Sequence, residues 1–473
     1  MGMALAPAAG STIAAAADRA RERAALTSLA VPLCWTEPVD GQADAAAFFA
    51  SADAAAPRTL WLDGQRGVAL AGSGTALLFP AGEGDRFAGT AAALRAAQDL
   101  AVAGGADGVL AAGLVALGGF AFDPQREAAP EWSGFPAALM AVPEALLRVG
   151  EGGATVTATV LVDGGSDPAA VADRVAAILS RAREVASPAG APERPAAGLV
   201  AHREVPPAGP WKSMVAEAAA DVRAGRFDKV VLARSERIAC AGEIDVAGTL
   251  HRMAASNPAA MIFAVGVPGA VFLGASPETL VELDGGRLRT TPLAGSIARG
   301  ATREQDEALA RRLLRSGKDR IEHDVVVGAI LQALDPVCLD LRPAPEAPLV
   351  VKNRTVQHLA TPISGRVRPG VSAVDIAGRL HPTPAVGGYP ADAALAAIRA
   401  REGFDRGWYA GPVGWCGPGG DGCFCIGIRS ALVRGNEAIL YAGCGIVADS
   451  DPDTEYAETC LKLGAIGAAL GVA

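Results

Sequence analysis

Two stretches of this chain carry carboxylates at spacings that bear on chemistry. Glu455, Glu458 and Lys462 stand three and four residues apart, so on a helix their side chains share one face. Asp319 and Glu322 repeat the three-residue offset in a second segment. Two helices that each present a carboxylate pair can build an oxygen-rich cage for a hard divalent cation. Mg²⁺ suits such a cage, because it takes one or two carboxylates and completes its shell with water and substrate oxygens. The same spacing also describes an ordinary solvated face with a Glu458–Lys462 ion pair, and helix geometry alone does not separate the two.

Apolar periodicity outlines the elements that must position these groups. Residues 1–27 are alanine-rich and read as a mobile N-terminal segment, in which Asp18, Arg19, Arg21, Glu22 and Arg23 interrupt any signal-peptide core. Residues 28–186 form an N-terminal α/β half, with strand-like runs at 59–62, 67–70, 113–122, 137–141 and 154–162. A helix comes next over 167–184, where Val171, Val175, Ile178 and Leu179 fall at helical spacing. Residues 187–207, rich in proline, alanine and glycine, read as a connection.

Residues 208–473 form the half that bears the carboxylates. It opens with a helix at 211–224 and strands at 229–240, 260–267, 270–274 and 279–283. A helix starts near Thr302, which has capping-box spacing to Gln305, and another spans 318–334. Strands at 349–357, 407–413, 423–432 and 437–443 precede a closing helix over 453–470. Strands and helices mix without strict βαβ alternation, which predicts an α+β fold.

Composition narrows the function. With 473 residues, 51% hydrophobic and 20% charged, the chain is a folded globular protein. A formal charge of −9 argues against nucleic acid or an acidic membrane surface as partner, and leaves room for a small anion held by a few local cations. The apolar stretch 108–122 is too short and too glycine-rich to span a membrane, so a soluble, cytoplasmic protein is expected. Eight cysteines in so long a chain are not a disulfide framework. Cys423 and Cys425 alternate in a strand-like run, but no CxxC or nearby His completes a metal set, and they read as buried small hydrophobes.

A series of blocks in the second half resembles the chorismate-utilising enzymes. They are KVVLAR from Lys229 to Arg234, GASPE from Gly274 to Glu278, TPLAGS from Thr291 to Ser296 with Arg299 and Gly300, and SGKDRIEH from Ser316 to His323. Val356 to His358, HPTPA from His381 to Ala385, and Tyr441 to Glu458 ahead of Lys462 complete the series. In the first half, Gly118 to Asp123 (GGFAFD) resembles the family's N-terminal signature. The resemblance implies the chorismate-utilising fold: two layered α/β halves with large, mostly antiparallel sheets flanked by helices.

It also implies the site. Glu322 and Glu458 would bind Mg²⁺, which grips the ring carboxylate of chorismate, while Asp319 and Glu455 act through metal-bound water. Asp319 is one carbon shorter than the glutamate some relatives carry there. Lys462 and Arg429 would meet carboxylates, Arg429 as a bidentate fork. Gly443 and Gly445 would offer backbone N–H groups from a turn around Cys444. Gly295, Ser296 and His358 would line the pocket, and Tyr409 would reach the enolpyruvyl carboxylate.

Within the family, reactions differ by nucleophile and by the fate of the adduct it forms. Glu278 resembles the general acid that protonates the departing C4 hydroxyl, which calls for a raised pKa. Lys229 stands where water-using relatives place a lysine base, so a buried Lys229 is expected and no glutaminase subunit is needed. Ala385 occupies the position of the lyases' threonine and offers no hydroxyl to steer pyruvate elimination. His358 and His381 read as hydrogen-bonders rather than acid–base groups. The resemblance therefore predicts an isochorismate synthase acting as monomer or homodimer and feeding menaquinone or siderophore synthesis. A salicylate synthase and a non-catalytic chorismate-binding protein are the alternatives.

Overall fold

Met261–Val267 (MIFAVGV) is buried at every position, which one-sided strand amphipathicity does not explain. The computed structural model, which describes residues 12–80, 84–106, 113–126, 128–186, 198–344, 348–352 and 356–472, supplies the reason. Phe263 and Val265 point into one core, shared with Trp132, Trp408 and Phe424, while Ile262 and Ala264 point into a second. This strand lies in a 13-stranded sheet covered on both faces. One face packs against a nine-stranded sheet. The other is covered by helices including Ile13–Thr27, Pro168–Ala186, Val246–Ser256 and Pro452–Leu470, which contribute Ala17, Leu179, Leu250 and Ile466 to the second core. Burying side chains of this size stabilises the fold by at most about 1.5–3 kcal/mol each.

Among the described strands, Val31–Val39 with Val102–Gly105 is the one parallel pair; the other pairings are antiparallel. Both large sheets draw strands from either side of the expected connection. Arg58–Asp63 pairs with Met261–Val267 in the first, and Ala116–Phe120 pairs with Pro412–Cys416 in the second. A three-stranded sheet, Leu293–Ala298, Val356–Ala360 and Leu349–Lys352, stands apart and packs against helix Gly317–Leu334.

Several expectations change. From Ile13 the alanine-rich N-terminal segment is a helix whose Ala16, Ala17, Ala20 and Ala24 are buried, because small side chains let it lie close on the sheet. Within the expected connection, Leu199–Val205 is an edge strand paired with Lys229–Cys240. The run 349–357 is two antiparallel strands. Of 407–413 only the end is strand: Gly407 turns at φ 52°, where a Cβ would sit 2.0 Å from the Trp132 ring. The run 423–432 is also two strands, Gly422–Ile426 in the nine-stranded sheet and Ser430–Arg434 in the 13-stranded one.

Candidate active site

Two of the places where the chain crosses between the two large sheets lie side by side. Ala270–Ser276 belongs to the larger sheet and Thr279–Asp284 to the smaller, with Pro277 and Glu278 as the crossing. Residues 427–429 make the reverse crossing. Backbone hydrogen bonds tie the two together, Ala275 N–H donating to the Arg429 carbonyl at 3.1 Å and Ile426 N–H to the Glu278 carbonyl at 3.1 Å. Arg429 adopts φ 51°, a left-handed conformation that costs a non-glycine residue of order 1 kcal/mol or more and marks a backbone constrained by its surroundings.

A cavity of about 270 Å³ opens at this seam. Lys229, Glu278, Gly295, His358, Ala385, Tyr409, Arg429, Gly443, Gly445 and Lys462 all line it, as do Asp319, Glu455 and Glu458. The two remaining expected groups, the side chains of Ser296 and Glu322, lie outside the described residues. Leu293, Ala294, Ile428 and Val447 add apolar wall, and Tyr409 stacks on Tyr441 with ring centroids 5.2 Å apart. Tyr441 was not anticipated as wall. Only four tyrosines occur in the chain, and that scarcity was the available signal.

Lys229 opens strand Lys229–Cys240 and is half-buried rather than buried, because the cavity itself exposes it. Gly443 and Gly445 lie within strand Glu437–Ile446, not in a turn. Their lack of a side chain is what matters. A Cβ on Gly445 would sit 2.7 Å from Lys229 Cε, and one on Gly443 would sit 3.1 Å from the Tyr409 hydroxyl. The neighbouring glycines thus let the lysine and the tyrosine lie across the strand. Gly295, at φ 72°, likewise leaves room for Asp319, whose Cβ is 3.0 Å from where a Gly295 Cβ would be.

Electrostatics inside the cavity are unequal. Burial, the larger effect, pushes the Glu278 carboxyl up to about 7 against the opposing pull of Lys229 and Lys462. The charge of Lys229 therefore reaches Glu278. Burial together with the charges of Lys462 and Arg429 drives the His358 imidazole down to about 4, so it is neutral near pH 7. His381 lies outside the cavity lining, packed edge-on against Phe122, whose carbonyl is 2.9 Å from Nε2. Burial holds it down to about 3.

Two capped helices bring in the carboxylates. Ser316 Oγ accepts from Asp319 N–H at the start of Gly317–Leu334, and Asp451 Oδ1 accepts from Thr454 N–H at the start of Pro452–Leu470. Lys462 Nζ donates to Glu458 Oε1 at 2.6 Å and to the Gly443 carbonyl at 2.7 Å. Burial works to raise the Glu458 carboxyl, but Lys462, His358 and Arg429 outweigh it and hold the group below the usual range. Glu455 is raised, by burial first and by the charge of Glu458 as well. Besides Glu278, three carboxylates on one cavity, with Glu455 raised partly by its neighbour's charge, are a donor set that a hard cation would relieve. Among the described residues no three such groups already converge on one point. Mg²⁺ does not require that, since water and substrate oxygens fill most of its shell.

Two packed, mostly antiparallel sheets with a cavity at their seam lined by lysine, arginine and carboxyl side chains define the class. The chain belongs to the chorismate-binding enzyme family, whose sequence pattern matches residues 17–471. The match spans both halves and not the second alone. Isochorismate synthase MenF of Bacillus subtilis is 38% identical over 361 residues, 76% of this chain and 75% of that protein. The salicylate biosynthesis isochorismate synthase of Pseudomonas aeruginosa is 42% identical over 354 residues, 75% of this chain and 73% of that one. Among solved structures, MenF, the menaquinone-specific isochorismate synthase from Escherichia coli, superposes with a TM-score of 0.76 at 27% identity. It covers 96% of this chain and 100% of its own. No helix among the described residues is long and apolar enough to cross a membrane.

Proposed function

We propose that this protein is an isochorismate synthase, which isomerises chorismate by adding water at C2 while the hydroxyl leaves C4. One observation carries the assignment: Lys229 and Glu278, whose carboxyl burial raises, line a single cavity. Lys229 takes a proton from the attacking water, and the ring double bonds shift. Glu278 gives its proton to the departing hydroxyl, which leaves as water. Atoms balance as an isomerisation, with Lys229 protonated and Glu278 ionised at the end, poised for the reverse reaction. Arg429 and Lys462 meet the substrate's two carboxylates, and Tyr409 orients the enolpyruvyl group. Glu458 and Glu322, with Asp319 and Glu455 acting through water, would hold Mg²⁺, which would supply positive charge for the ring carboxylate.

Ala385 supports isomerisation over pyruvate elimination, because it brings no hydroxyl to the cavity wall. Incubating the purified protein with chorismate and Mg²⁺ and separating the products by chromatography tests the proposal. Isochorismate without pyruvate is expected, whereas stoichiometric pyruvate would make the protein a salicylate-type lyase. Ligand assignment has its own test. Glu458→Gln is expected to raise the Mg²⁺ concentration for half-maximal activity by at least about tenfold, and a Mg²⁺ titration identical to wild type would remove Glu458 from the metal.

A further inference from the structure

Strand Lys229–Cys240 has a gap on one side. Glu437–Ile446 pairs it from Val230 to Ala239 along one edge. Along the other, Gly388–Tyr389 covers Lys229 and Val230, and Leu199–Val205 begins only at Ser235. Between them no described strand neighbours residues 231–234 on that edge; the Gly387 carbonyl accepts from Val231 N–H at 3.0 Å, and the other buried backbone groups there still need partners.

Two charged side chains fill the rest of the gap. Glu402 and Arg406, with side chains 0% and 3% exposed, pair at 2.6 Å. Glu402 Oε1 accepts from Ala233 N–H at 2.7 Å, and Oε2 accepts from Arg406 Nε at 2.8 Å. Arg406 Nη2 donates to the Val231 carbonyl at 2.7 Å, and Nη1 donates to the Val386 carbonyl at 3.0 Å. The guanidinium lies 4.2 Å from the Phe122 ring centroid, and the Arg406 carbonyl accepts from Tyr409 N–H at 2.9 Å.

Val231, Val386 and Tyr409 all line the cavity. One buried guanidinium therefore fixes the distance between the strand that begins at Lys229, the loop that carries Ala385, and the residue that carries the Tyr409 phenol. An apolar pair of equal volume would serve core packing as well or better, since burying an ion pair costs desolvation that its own attraction barely returns. It could not hold three backbone segments in register.

We infer that Glu402 and Arg406 are positioning residues which set Lys229 against the Ala385 loop, and so govern both turnover and the choice between isomerisation and pyruvate loss. The inference rests on the chorismate reading above. Because the pair acts through geometry, losing it resembles a displacement of reacting groups by about 1 Å, which costs on the order of 100-fold in rate.

The double variant Glu402→Leu/Arg406→Met removes the pair without leaving a lone buried charge, and Arg406→Lys keeps the charge but not the fork. Both are compared with wild type by thermal melting, by kcat and KM for chorismate, and by the ratio of pyruvate to isochorismate formed. The double variant is expected to melt below wild type, because the Ala233 N–H and the Val231 and Val386 carbonyls lose their partners, yet to be folded at the assay temperature, to lose about 100-fold in kcat with KM changed by less than about threefold, and to release a larger share of pyruvate. Arg406→Lys is expected to recover part of kcat. A folded double variant with wild-type kcat and product ratio would overturn the inference. If that variant does not fold, wild-type values for Arg406→Lys overturn it equally. A wild type that leaves chorismate unchanged would instead overturn the proposed reaction, and this inference with it.

Discussion

Lys229→Ala is expected to lower kcat by roughly 10²–10⁴-fold, the range for loss of a general base, while the Mg²⁺ dependence stays near wild type. Lys229 begins a strand and is half-buried, so truncation creates little cavity, and the melting temperature is expected to move only slightly. Position is what makes it a base. Gly445 leaves room beside Lys229 Cε, which lets the amine cross the neighbouring strand to the cavity. Steady-state kinetics with a Mg²⁺ titration separates this role from a structural one. A variant with wild-type kcat would remove Lys229 from the chemistry, and a variant that lost Mg²⁺ response instead would place it among the metal's supporting groups. Small primary amines added to the alanine variant are expected to restore part of the rate, because the space vacated opens on the cavity.

Glu278→Gln is expected to cost a similar factor of roughly 10²–10⁴ in kcat, since an amide of the same size cannot protonate a leaving hydroxyl. The wild-type pH profile carries the same information. Burial raises the carboxyl from an ordinary 4.5 to about 7, so the acid form persists through weakly acidic solution. The part of the rate that depends on the Glu278 proton is therefore expected to fall as pH rises past about 7. Stability changes with it by linkage. A carboxyl whose folded pKa is raised binds its proton more tightly in the folded state, so its contribution is fully present below 4.5 and is lost as pH climbs through about 7. Glu278→Gln, which cannot ionise, is then expected to melt like wild type near pH 4 and above it near pH 8. Equal melting curves at both pH values would show that the buried carboxylate imposes no strain. A flat pH profile would take the proton-donor role away from Glu278.

Much of the site was legible because its residues sit in short local blocks. Glu455, Glu458 and Lys462 share a face by helical spacing, and the cavity collects them with Lys229, Glu278 and Arg429. The errors have a common physical source. Cys423 to Leu432 is apolar but for Arg429 and Ser430, and a strand buried on both faces reads the same whether it stays in one sheet or crosses to the next. The crossing turns on Arg429 at φ 51°, a conformation usually announced by glycine and here unannounced. Gly443 and Gly445 suggested a turn by residue type, yet they lie in a strand, where they make room for a lysine and a tyrosine far away in sequence. Glu402 and Arg406 carried no signal beyond a helix-like spacing of four, because their partners are backbone groups of strands and loops elsewhere.

Residue types and local spacing by themselves determined the α+β class, the family resemblance, and which acids and bases are available for chemistry. Such properties depend on periods of two and 3.6 residues and on side-chain chemistry, both readable over a few positions. The tertiary structure alone decided that two chain crossings lie side by side, that the sheets take strands from both halves, and that Glu278 loses enough water to hold a proton near pH 7. Desolvation and register are sums over neighbours brought from hundreds of residues apart, and no short window of sequence contains them.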